Sequence, residues 1–312
     1  MHTGDTATGW LRAKWGDMNG DMKQAKYGTG ERWLGLGLIL LSAAAFGSTS
    51  ILARLAFAAG SDTLTVLFVR FALATAVLMT IMLVKRMPLP SGRILIGLIA
   101  LGMIGRAGQG VAYFTALTLA PAGLVALLLY LYPALVTLLA VIFLREKLTA
   151  IKAGAVLVAL AGTALAVGPE AGGRPLGIVL GLLTAAVYAV YIIVSSHITR
   201  YAGAFVASTV IVAATALSYG GLVAVHGATW PSTALGWAAI VVMALFSTVV
   251  GTVSFFAGLQ RVGPTNAATL STFEPVVTVA LAALVLGEAL APVQLVGGAL
   301  ILLAVLVLAR KG

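Results

Sequence analysis

Ten long apolar runs dominate this chain, at 33–56, 63–84, 94–118, 122–144, 151–168, 175–196, 204–225, 234–258, 265–287 and 291–309. A helix that crosses a bilayer needs about 20 predominantly apolar residues, within a range of roughly 17–25. The runs are continuous and do not alternate, so they read as helices and not as the strands of a barrel. Charged residues make up only 9% of the chain, against about 25% in a soluble domain. Polar side chains cannot cover such a surface, and lipid must be the solvent. The expected fold class is an all-α membrane protein with ten transmembrane helices.

The placement of Lys and Arg sets the orientation. With the N-terminus inside, fifteen of the 19 basic residues fall in the tail, the inner loops and the C-terminus. Arg174 and Arg54 lie on the outer side, and Arg70 and Arg106 lie within spans. The net charge of +10 is therefore an orientation signal, and no nucleic-acid partner is expected. Residues 1–32 are polar and mixed in charge, with no short apolar core, so they read as a cytoplasmic tail of disordered composition and not as a cleavable signal. Met18 and Met22 are alternative starts within it.

The chain repeats itself at an offset of 142 residues. "LYPALVTLLAVIFLREKL" (131–148) aligns with "FEPVVTVALAALVLGEAL" (273–290), matching Pro133 to Pro275 and Glu146 to Glu288. The expected units are 33–168 and 175–309, each with five spans. Five is odd, so the two halves must lie in the membrane with opposite orientation. Inverted repeats of this kind place a binding site near the midplane, between the halves.

The proline in the fourth helix of each half, the Glu just after it, and "STFEPVVTVALAALVLGEAL" above all resemble the drug/metabolite transporter superfamily in its bacterial EamA-domain branch. "AFGSTSILARL" in the first span is similar to that family's Trp-Gly start, with Phe46 in place of Trp. The resemblance covers roughly 33–309. It implies a secondary transporter of small metabolites, with amino acids among the substrates and export common, in a bacterial inner membrane with both termini cytoplasmic.

Two charges stand out inside the spans. Glu274 lies about ten residues into the ninth, roughly 15 Å deep, where an acid costs at least about 2.5–3.5 kcal/mol and marks a functional site by default. Pro275 removes a backbone donor beside it and leaves the carbonyl of Ser271 without its helical partner. Thr272 lies in the same polar notch, and Tyr132 beside Pro133 occupies the equivalent place in the first half. Arg106 reaches a similar depth in the third span, within "GMIGRAGQGVAYF", with Gln109 and Tyr113 on its face. A guanidinium there suits a substrate carboxylate, and Glu274 suits a substrate amine or a proton. The bland alternative is a permanent Arg106–Glu274 ion pair that holds the bundle together.

Tyr188, Thr248 and Phe255 complete the expected lining of a cavity built from spans one, three, four, six, eight and nine. Pro133 and Pro275 are expected hinges. Arg70, about seven residues from an outer end, is expected to reach back to the interface. Cysteine is absent, no GxxxxGK[ST] or HExxH motif occurs, and no histidine sits mid-membrane, so neither cofactor nor metal nor enzymatic activity is expected. The reading is a carrier that works by alternating access on a small-molecule substrate, with protons as candidate coupling ion and a monomer sufficient. A multidrug or organic-cation exporter and, more remotely, a passive channel are the alternatives.

Overall fold

The computed structural model describes residues 29–120, 122–167, 174–286 and 291–311. Met18, Met22 and the rest of the expected tail up to residue 28, and Glu288 of the repeat, lie outside the described residues. Among the described residues, fourteen α-helical segments and two π-helical ones build ten spans. The first is α1 (Thr29–Ala58) and the second α2 (Thr63–Val84). The third joins α3 (Gly92–Ala100), a π-helical stretch (Leu101–Gly108) and α4 (Gln109–Leu117). The fourth is α5 (Ala122–Leu129) and α6 (Tyr132–Leu144), and the fifth α7 (Ala150–Val167).

The second half repeats the scheme. It has α8 (Pro175–Ala202), α9 (Ala204–His226), and a third member made of α10 (Ala234–Val242), a π-helical stretch (Met243–Val250) and α11 (Gly251–Val262). α12 (Pro264–Leu270) with α13 (Phe273–Leu286), and then α14 (Pro292–Lys311), complete it. Eight spans are long and apolar enough to cross a membrane on their own, and α7 and α14 contribute shorter apolar stretches, Ala150–Leu165 and Pro292–Leu308. Those two pack on each other, with Gly162 so close to Gly297 and Ile301 that no side chain fits between.

The halves interlock. α1 packs mainly on the eighth and ninth spans, and its counterpart α8 packs on the third and fourth. α2 packs on α9, and α7 on α14. Nearly every large helix contact thus joins one half to the other, as a pseudo-two-fold axis between inverted repeats requires. The fold is ten transmembrane helices in two inverted five-helix repeats.

The repeat extends to fine detail. The two π-helical stretches are of equal length and 142 residues apart. A π turn widens the helix and shifts its carbonyls out of register. Buried hydroxyls from outside the stretch take two of them: Thr215 donates to Gly102 and Tyr219 to Ala107. Gly102 lies so close to the Ile211 carbonyl, and Gly105 to Tyr191, that a Cβ at either would collide. Nothing in apolar periodicity distinguishes such a stretch from an α-helix, which is why it reads as one in sequence.

α1 is already helical at Thr29, ahead of the expected 33, and its Glu31 receives Arg261 Nε at 2.8 Å. This pair is one of several contacts, most of them between the halves, at the end of the bundle that holds Thr29. There Thr265 donates to Glu146, Gln260 donates to the Thr199 carbonyl at 2.7 Å, and Gly35 touches Arg261 and Val262. We call this the terminal face and its opposite the distal face.

Candidate functional site

A cavity of about 730 Å³ occupies the distal half of the bundle. Its walls come from the latter part of α1, from Phe46 to Phe57, the first turns of α2, the far end of the third span, the fourth span, and α13 from Glu274 to Ala282. It reaches the distal end of α1 at Arg54 and Phe57, both exposed. Spans two, seven and ten contribute and span eight does not, against the expected set; the interlocked halves bring α2 and α9 together, and Gln294 of α14 reaches the cavity.

Of the residues expected from sequence, Arg106, Gln109, Tyr113, Tyr132, Tyr188, Glu274 and Pro275 line this space. Arg106 hydrogen-bonds weakly to Gln109 at 3.5 Å, one turn along, and its guanidinium lies 5.8 Å from the Phe46 ring centre and 5.9 Å from that of Phe71. Glu274 opens α13 directly after a two-residue break, Ser271–Thr272, that separates it from α12. Its position is set by close packing on α1. A Cβ on Gly47 would lie 2.7 Å from the Glu274 carbonyl, and Thr278 donates to the Gly47 carbonyl at 2.9 Å. Among the described residues Glu274 has neither an ion pair nor a side-chain hydrogen bond, so no Arg106–Glu274 salt bridge is formed.

The tyrosines form one connected group. Tyr188 meets Tyr132 edge-on at 4.8 Å and stacks on Tyr191 at 5.8 Å, and Tyr132 lies 6.4 Å from Tyr130. Tyr191 turns into the core. Tyr132 donates to the Ala268 carbonyl at 3.4 Å, which ties the fourth span to the ninth beside the break. Pro133 is buried behind this group and follows a break of its own at Tyr130–Leu131.

Three expected lining residues lie elsewhere. Phe255 packs in the main core against Phe256. Thr272 turns its hydroxyl onto the Thr269 carbonyl at 2.6 Å. Thr248 is buried behind the wall, where it accepts from Arg70. The Ser271 carbonyl beside Pro275 is not left open either: the Glu274 N–H donates to it at 3.0 Å, a tighter turn that closes the notch.

Arg70 is the main correction. It does not reach the interface but is buried, 4% exposed, against the cavity. Its Nε donates to Thr248 Oγ1 at 3.0 Å and its guanidinium lies 5.0 Å from the Phe71 ring centre. Helical periodicity gives the face on which Arg70 sits, but not that α9 and the eighth span cover that face. Tyr219 was missed for the same reason. It lines the cavity from α9 and stacks on Phe71. Among the described residues no group of three His, Asp or Glu is placed to hold a metal.

Inverted repeats that enclose a cavity lined by aromatic rings and a few deep charges are the architecture of many membrane transporters. A model of the EamA-like transporter family matches residues 33–168 and again 175–310, and the chain belongs to that family. It is 28% identical over 278 residues to the uncharacterized transporter YcbK of Bacillus subtilis strain 168, covering 83% of this chain and 87% of YcbK. A crystal structure superposes with a TM-score of 0.76 at 23% identity, covering 90% of this chain and 98% of the other; that likeness concerns the fold. The chain is thus a multi-pass membrane transporter and not an enzyme, set in a lipid bilayer and acting on a small-molecule substrate.

Proposed function

We propose that the protein is a secondary carrier of amino acids that exports them by alternating access through the distal cavity. The observation that carries this is the placement of Arg106 and Glu274 on one cavity without a bond between them. An unpaired carboxylate at that depth is costly, and a ligand with both a carboxylate and an ammonium group answers both charges at once. A cavity that reaches the distal face, with contacts joining the halves at the terminal face, supports one end state of an alternating cycle. In this reading the terminal face is cytoplasmic, as the basic residues suggest, the membrane is a bacterial inner membrane, and a monomer suffices because the chain closes its own repeat.

Nine aromatic rings on the wall favour, as a second reading, an exporter of lipophilic cations. Three arginines on the same wall count against it. Uptake of a radiolabelled amino-acid panel into proteoliposomes, with and without an imposed pH gradient, tests the proposal. Saturable uptake with counterflow is the expected result, and accumulation driven by the gradient would mark Glu274 as the proton site. Uptake of a radiolabelled lipophilic cation without uptake of any amino acid would establish the second reading. Flux without saturation or counterflow would mean a channel.

A further inference from the structure

Arg70 has no part in the carrier mechanism proposed so far. It is a permanent cation held almost wholly out of water, and among the described residues its one hydrogen bond runs from Nε to Thr248. Among the described residues its two terminal nitrogens make no hydrogen bond, and the residue lines the cavity. Buried charges of this kind are normally paired. Arg70 and Arg106 flank one ring, with their guanidinium carbons 5.0 and 5.9 Å from the centre of Phe71. Two guanidinium groups therefore face the same small volume as the single carboxylate of Glu274. A neutral zwitterion satisfies Arg106 and Glu274 and leaves Arg70 uncompensated. An occupant with a second acidic group satisfies all three.

Resting on the amino-acid reading above, we propose that Arg70 is a second anion-binding residue of the cavity and selects amino acids with an acidic side chain. In the bound state the α-carboxylate lies on Arg106, the ammonium on Glu274 and the side-chain carboxylate on Arg70. Thr248 is the positioning residue. Its hydroxyl holds Nε, and it in turn donates to the Met243 carbonyl at 3.2 Å, which fixes the direction of the fork. Both ends of the planar group are then presented to a carboxylate, the geometry for which arginine is suited.

The test is competition in proteoliposomes. Radiolabelled aspartate and glutamate are compared with alanine, serine and leucine, in the wild-type protein, R70Q and R70K. The expected result is a wild-type preference for the acidic pair of at least about tenfold, the scale of one charge-assisted bond. R70Q should erase that preference, and R70K should keep part of it. The wild-type measurement decides the matter even if R70Q fails to fold. Equal or better transport of neutral amino acids by the wild-type protein overturns the role of Arg70 and leaves the amino-acid reading standing. Transport of no amino acid of either kind overturns both.

Discussion

The two halves share a backbone but not a chemistry. At the offset of 142 residues, proline answers proline and π-helical stretch answers π-helical stretch, and break answers break to within one residue. Cavity aromatics correspond as well, Phe46 with Tyr188. The charges do not. The counterpart of Glu274 is Tyr132, and the counterpart of Arg106 is Thr248, the residue that holds Arg70. Symmetry thus builds the frame, and departures from symmetry build the site. Both deep cations come from the first half and the one deep carboxylate from the second, so an occupant must touch both halves to satisfy its charges.

The largest break in this comparison should come from Glu274. E274Q is expected to lower transport at least about thirtyfold, the scale for removing one partner of a buried charge pair, with thermal unfolding in detergent little changed. Y132F, at the mate position, loses only a long hydrogen bond and should cost no more than about tenfold. If the two variants behaved alike, the asymmetry would have no functional meaning. Next comes packing. G47A forces a methyl against the Glu274 carbonyl and Val277 and should destabilise by about 1–3 kcal/mol. Its mate is already Ala189, fully buried, and A189G should cost only about 0.5–1 kcal/mol. Denaturation of the two variants side by side checks this.

The second spans of the two halves differ in their caps. α2 starts from Asp62, which accepts from Thr65 N at 3.0 Å and from the Thr229 N–H at 2.9 Å, whereas α9 starts from Gly203 with no side-chain cap. D62A should cost about 1 kcal/mol in thermal unfolding at neutral pH. Burial alone would raise the pKa of Asp62, but the hydrogen bonds from Thr65 and Thr229 hold it below an ordinary aspartate's 3.8. A depressed carboxylate stabilises the folded state above the unfolded value and ceases to do so as pH falls through the folded one. The wild-type protein should therefore lose this increment below about pH 3.8 and D62A should not.

Much of this frame is legible in the chain itself. Ten spans follow from run length, and inversion follows from an odd number of spans in each repeat. Arg106 and Glu274 stand out because a charge in an apolar run must have a reason. Arg70 carried the same signal, but its distance from a span end offered a cheaper explanation, and only the contact of α2 with α9 and the eighth span removes it. Phe255 and Thr272 erred in the opposite direction. Their faces depend on where a helix breaks and widens, and the break at Ser271–Thr272 and the π-helical stretch before α11 turn them away from the cavity. Aromatics such as Tyr219 and Phe71 look like any other membrane aromatic until their neighbours are known.

The crosswise packing of the halves also bears on how the protein is made. At about 5–20 residues per second, the part of the chain beyond residue 174 takes roughly 7–30 s to emerge. Through that interval α1 lacks the eighth and ninth spans and α2 lacks α9, the helices against which they finally pack. Arg70 and Arg106 wait in the bilayer for a carboxylate that has not yet been synthesised. The newly inserted first half is an unfinished object whose bare faces the lipid or the insertion machinery must shelter, and assembly is completed only when the last helix pairs with α7.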